Sequence, residues 1–212
     1  MDGIPNDAAR RIRLWNAGAA VVHGAQGVAI LYLANDFSLP VTGTFMDGPP
    51  GAEPPQLTTL FDVRFAWGVS AFVFLSALAH LLIITPGIFG WYRRNLARNR
   101  NYARWIEYSA SASLMVVLIA LLTGISDVAA LLALFGVNAS MILFGLLMEH
   151  YENPGRPNWL SFFFGCLAGA VPWAAIAIYF WSPGLDANPL KVPVFQSPSG
   201  RGSGVVTLGG RS

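Results

Sequence analysis

The run Arg104-Trp105-Ile106-Glu107-Tyr108-Ser109-Ala110-Ser111-Ala112-Ser113-Leu114-Met115 sets one carboxylate and a ladder of hydroxyls at the start of an apolar stretch. An ionisable side chain inside a membrane span is expensive and by default marks a functional site. Other polar residues interrupt apolar runs in the same way. His23 and Gln26 lie one helical turn apart, Ser76 and His80 are spaced i, i+4, and Asn138 stands among Leu and Ala. Residues three or four apart share a helix face, so Glu107 and Ser111 go together, with Tyr108 and Met115 flanking them. If these faces converge, two imidazoles, a carboxylate, an amide and several hydroxyls meet in one internal cavity. An ionised carboxylate there needs a cation beside it.

Taken singly, these residues say less. A buried histidine is often a packing residue, and serines in membrane helices bond back to their own backbone. Glu107 stands only two residues into its apolar run, where it could snorkel and pair with Arg104. Periodicity leaves the deep and the shallow placement both open.

The elements that must position these groups are membrane helices. Hydrophobic residues make up 54% of the 212-residue chain and charged residues 11%, against about a quarter charged in soluble domains. The long apolar runs predict an all-α membrane protein. Five segments of about 20 residues could cross a bilayer: Leu14–Leu33, Phe61–Ile84, Trp105–Ile125, Val128–Tyr151 and Leu160–Trp181. Residues 1–13 form a polar N-terminal stretch, 14–181 the bundle, and 182–212 a Gly-, Ser- and Pro-rich tail expected to be disordered. Cys166 is the single cysteine, so neither a disulfide nor a thiol metal cluster is available.

Charge alternates between the connections. Arg10, Arg11 and Arg13 precede the first span, and Arg93, Arg94, Arg98, Arg100 and Arg104 follow the second. The connection 36–60 holds Asp36, Asp47 and Glu53 with no basic residue. The positive-inside rule then predicts a cytoplasmic N-terminus and, after five crossings, an external C-terminus. The arginine-rich connection would attract anionic lipid headgroups, although a plain orientation signal is the simpler reading. Alternation through Phe37, Leu39 and Val41 and a turn at Asp47-Gly48-Pro49-Pro50 predict a small hairpin in the first external loop. Gly165 and Gly169 offer a close-packing face, and Pro172 is expected to kink the last span.

Several stretches resemble the heliorhodopsins, retinal-binding membrane photoreceptors with seven helices and an inverted orientation. They are Leu33-Ala34-Asn35-Asp36-Phe37-Ser38-Leu39-Pro40, Thr42-Gly43-Thr44, Gly48-Pro49-Pro50-Gly51 and Arg104-Trp105-Ile106-Glu107-Tyr108-Ser109. To these are added the run from Leu134 to Gly145, Phe164-Gly165-Cys166 and Val171-Pro172-Trp173, so that the likeness extends from about Asn16 to about Phe195. It implies that Glu107 is the counterion of a protonated retinal Schiff base and that His23 and His80 hold the proton released by light. It further implies that Ser76, Tyr108, Ser111 and Asn138 hydrogen-bond around the site, with Met115, Met141 and Ile142 as pocket wall. Ala112 departs from the serine expected in the hydroxyl run. The resemblance also implies a homodimer; nucleic acid is not an expected partner.

The likeness stops where a sixth helix is expected, near residue 196. Lys191, the only lysine, lies outside every span. The expectation is therefore a truncated or frameshifted relative without its sixth and seventh helices or the retinal-attaching lysine, and so not photoactive alone. Ion pumping is not expected, because a proton relay wants several acids at depth; besides Glu107 the expected spans hold only Asp62 and Glu149, each at an end. Two other classes compete. His23, His80 and Glu107 could supply a metal or enzymatic site, or the chain could be a membrane scaffold without chemistry.

Overall fold

The computed structural model describes residues 4–46, 48–49, 51, 56–151 and 158–181. The expected turn residues Asp47 and Pro50, as well as Glu53, Arg156, Lys191 and the tail 182–212, lie outside them. The described chain runs α1 (Asn6–Tyr32), β1 (Ser38–Phe45), β2 (Gln56–Arg64), α2 (Phe65–Ile84), α3 (Pro86–Leu96), α4 (Tyr102–Leu122), α5 (Val128–Tyr151) and α6 (Leu160–Trp181). The long helices pack in a row: α1 on α2, α2 on α4, α4 on α5, and α5 on α6.

Helices α2, α4, α5 and α6 are long and apolar enough to cross a membrane. Their outer faces carry exposed apolar side chains such as Leu78, Leu132, Phe163, Leu167 and Ile178. Such surface is costly in water and ordinary in lipid. The fifth expected crossing, α1, is 27 residues long and packs along α2. Its apolar content falls short because Asn16, His23, Gln26 and three glycines dilute it. By length and composition, α2, α4, α5 and α6 each meet the measure of a crossing, and α1 has the length but falls short of the apolar content.

The expected hairpin is present, and larger than its sequence pattern suggested. β1 and β2 pair antiparallel from Ser38↔Arg64 to Phe45↔Gln56, with a register shift after Val41. The shift leaves one extra residue on β2, a bulge that bends the ribbon. Phe61–Arg64 therefore belong to β2, not to the second span, and α2 begins at Phe65. The apolar alternation Phe61, Val63, Phe65 had the look of a helix start but has the period of a strand. Arg64 consequently joins the hairpin, 3.7 Å from Asp36, so this connection is not free of basic residues. Asp62 likewise lies in a strand rather than at the end of a span.

The hairpin is seated on the α4–α5 turn. Gly124, with φ +97°, and Ile125 close α4 by donating to the carbonyls of Leu121 and Ala120, a Schellman ending that needs a left-handed residue. The Asp127 carboxylate then caps α5 by accepting from the N–H groups of Ala129 and Ala130, each at 3.0 Å. Between these ends, Thr42 N–H donates to Ser126 O at 2.8 Å, and the two hydroxyls lie 2.9 Å apart. Val41 joins Val116, Leu121, Ile125, Leu131 and Ile176 in the core beneath.

At the opposite end a single residue, Thr85, links α2 to α3. Its extended backbone (φ −65°, ψ 144°) and Pro86 at the first helical position break the chain cleanly between the two helices. α3 was not anticipated from the sequence. Its Phe89 and Tyr92 pack with Ala9 and Ile83 into a second core cluster. α6 continues as one helix through Pro172, which is fully buried.

Candidate functional site

Two hydrogen-bonded groups lie along the α1–α2–α4 layer, half-buried apart from the buried Asn16 and the exposed Gln26. In the first, His80 Nδ1 lies 2.7 Å from Asn16 Oδ1, and Asn16 Nδ2–H donates to Ile12 O at 2.9 Å. The His80 ring stacks on His23, centroids 5.8 Å apart and planes within 8°. His23 Nδ1 in turn lies 3.1 Å from Gln26 Oε1. Asn16, seven residues before His23, occupies the same face of α1 and is buried. Sequence reasoning passed over it, although that spacing was the signal that could have found it.

The second group is Ser76 and Glu107. Ser76 Oγ–H donates to Glu107 Oε1 at 2.6 Å, a charge-assisted length when the carboxylate is ionised. Ser76 and His80 stand one turn apart on α2, so this helix carries both groups. The structure therefore brings His23, Ser76, His80 and Glu107 together around α2.

Glu107 does not pair with Arg104, the shallow alternative. Arg104 instead lies 3.7 Å from Glu149. Glu149 Oε2 also accepts from Trp105 Nε1–H at 2.6 Å and from Asn101 N–H at 2.9 Å. Among the described residues no cation lies within ion-pair distance of Glu107.

The other expected site residues divide by face. Asn138 and Ser113 are buried between α5 and α4, where Asn138 Nδ2–H donates to Ser113 Oγ at 3.0 Å. Ser111 is buried on the Glu107 face. Tyr108, Met115 and Leu122, spaced by sevens, form one exposed stripe along α4. At 100° per residue the stripe lies between the α2-facing side (Glu107, Ser111, Leu118) and the α5-facing side (Ser113, Val116, Ala120). It is an open apolar strip beside the carboxylate. Met141 is not part of that strip: its side chain fills the space over Gly169 of α6, and its carbonyl faces Gly165. Ile142 is buried. The expected close-packing glycines thus work by admitting Met141.

The metal alternative finds no support in this geometry. Among the described residues no three His, Cys, Asp or Glu side chains lie close enough to share an ion. His23 and His80 are stacked face to face, and the nearest ring nitrogen partners are amide oxygens rather than Glu107.

A row of apolar helices carrying a mid-bundle carboxylate, two histidines and an open apolar strip defines a helical membrane protein of the rhodopsin-like type. The heliorhodopsin family model matches residues 12–197. The match spans most of the 212 residues, and the chain belongs to the heliorhodopsin family. No curated protein matches it.

Proposed function

We propose that this chain is a light-sensing, non-pumping membrane protein whose bundle supplies the counterion side of a retinal site, with Glu107 as the counterion. The observation that carries this reading is the Glu107 environment: among the described residues, one hydroxyl donor, no cation within ion-pair distance, and the Tyr108–Met115–Leu122 strip alongside. The absence of a relay supports the non-pumping part. In the spanning helices α2, α4, α5 and α6 the acids are Glu107 and Glu149, and Glu149 is tied to Arg104 and Trp105 at the helix ends. By the positive-inside rule we place the arginine-bearing end in the cytoplasm.

The residues fit retinal in part. The apolar strip suits a polyene, and Glu107 suits a cation at its end. Retinal, when bound, supplies light absorption and isomerisation. Ser76 holds one oxygen of Glu107 and so fixes the carboxylate's direction. His23 and His80, with Asn16 and Gln26, form a neighbouring polar reservoir able to hold a proton. The attachment point does not fit: Lys191 is the only lysine in the sequence and stands outside the described helices, so the described bundle offers no amine.

The chain expressed alone with all-trans retinal, washed free of unbound pigment, is expected to keep no visible absorption band. A retained band that shifts or disappears in Glu107→Gln would show that the chain attaches or grips retinal unaided, and would overturn the second half of this reading. Restoring a band by supplying in trans a helix pair bearing a lysine would support the first half.

A further inference from the structure

The end of the bundle opposite the hairpin carries charge that the fold does not use. α1 spans 27 residues, about 40 Å at 1.5 Å per residue, against a hydrocarbon core of about 30 Å. Its first turns, with Arg10, Arg11 and Arg13, therefore extend past the apolar layer. α3 starts one residue after α2 ends and turns Phe89 and Tyr92 inward onto Ala9 and Ile83. The Arg13 guanidinium lies 4.2 Å from the Phe89 ring centroid. The overhang of α1 and the amphipathic α3 are thus joined into one surface at the level where headgroups begin. Exposed Trp15 and Ile88 border it, and tryptophan favours that boundary.

Every basic residue of this surface is arginine, whose planar fork matches paired phosphate oxygens. Among the described residues the ion pairs are Arg64–Asp36 and Arg104–Glu149. Arg10, Arg11, Arg93, Arg94 and Arg98 pair with no described carboxylate, and Arg10, Arg11, Arg94 and Arg98 are exposed. The described acids at this end are Asp7 and Glu149, the latter already occupied. Burial pushes the Tyr92 phenol up from its ordinary value, outweighing the Asn101 hydrogen bond and the Arg104 charge, so it adds no negative charge.

We propose that α3 and the overhanging turns of α1 form a seat for the headgroups of anionic phospholipids in the adjoining leaflet. A plain orientation signal needs only the number of arginines in a connection. This surface in addition holds Arg10, Arg11, Arg93 and Arg94 on two ordered helices, with Arg98 in the turn after α3, and none of them meets a described carboxylate. The proposal is independent of the retinal reading and of which side of the membrane this end faces.

The test is native mass spectrometry of the purified full chain in detergent titrated with phosphatidylglycerol or phosphatidylcholine. Retention of phosphatidylglycerol over phosphatidylcholine is expected, weakening with salt. Affinity should fall roughly fivefold for each arginine removed in Arg93→Gln, Arg94→Gln and Arg98→Gln, while Arg64→Gln on the hairpin leaves it unchanged. Should the triple variant not fold, the exposed single variants Arg94→Gln and Arg98→Gln carry the measurement. Equal retention of both lipids, or arginine variants that bind like the parent, would overturn the proposal. Inorganic phosphate binding as tightly as phosphatidylglycerol would also overturn it, in favour of a free-anion site.

Discussion

Glu107 and Glu149 are both carboxylates beside helix α4, and they are furnished in opposite ways. Glu149 receives the Trp105 indole N–H, the Asn101 backbone N–H and the Arg104 guanidinium. It binds the start of α4 to the end of α5. Among the described residues Glu107 receives only the Ser76 hydroxyl. A carboxylate has two oxygens and about four acceptor positions, so the first is nearly saturated and the second keeps most of its capacity open. The difference separates a joint from a site. A joint is stabilised by completing its partners, whereas a binding carboxylate leaves room for the charge it will meet.

The comparison fails first, if it fails, at Glu149. Replacing it in Glu149→Ala strands three donors at a partly buried position and is expected to destabilise the chain by about 2–4 kcal/mol, read from denaturant or thermal unfolding in detergent. An unchanged midpoint would mean that the joint is not one.

A subtler probe leaves the carboxylate in place. Gly145 faces the Trp105 ring so closely that a methyl group there would overlap it. Gly145→Ala should displace the indole from Glu149 and lower stability by about 1–3 kcal/mol, with a shift in tryptophan fluorescence. Normal fluorescence together with normal stability would show that the indole bond contributes nothing.

Glu107→Gln is expected to have the smallest effect on folding, within about 1 kcal/mol, because the amide oxygen still accepts from Ser76. A loss as large as that of Glu149→Ala would erase the distinction between the two acids.

The sequence made the long helices legible because four of them are nearly uniform in apolar content, and lipid asks for little else. The β1 strand was legible through its alternation. α3 was not: Phe89 and Tyr92 fall inside an arginine-rich connection, and charge masked a helix face three residues apart. Within the site, turn spacing paired His23 with Gln26, Ser76 with His80 and Glu107 with Ser111, each on its own helix. What spacing could not supply was the partner across helices. Arg104 stands three residues from Glu107, yet it turns to Glu149 on α5, beside a tryptophan 44 positions away in sequence from that same acid. Asn16 and His80 are 64 positions apart, and only their packing makes them neighbours.

The bond between Thr42 and Ser126 joins residues 84 positions apart. A chain made from its N-terminus completes the hairpin strands long before Ser126 exists. Until α4 has crossed and its turn has arrived, the inner edge of β1 around Thr42 has no partner to receive its N–H. The seating of the hairpin therefore reports on the insertion of helices it never touches along the chain, as a clasp closes only when both halves of a case are in place.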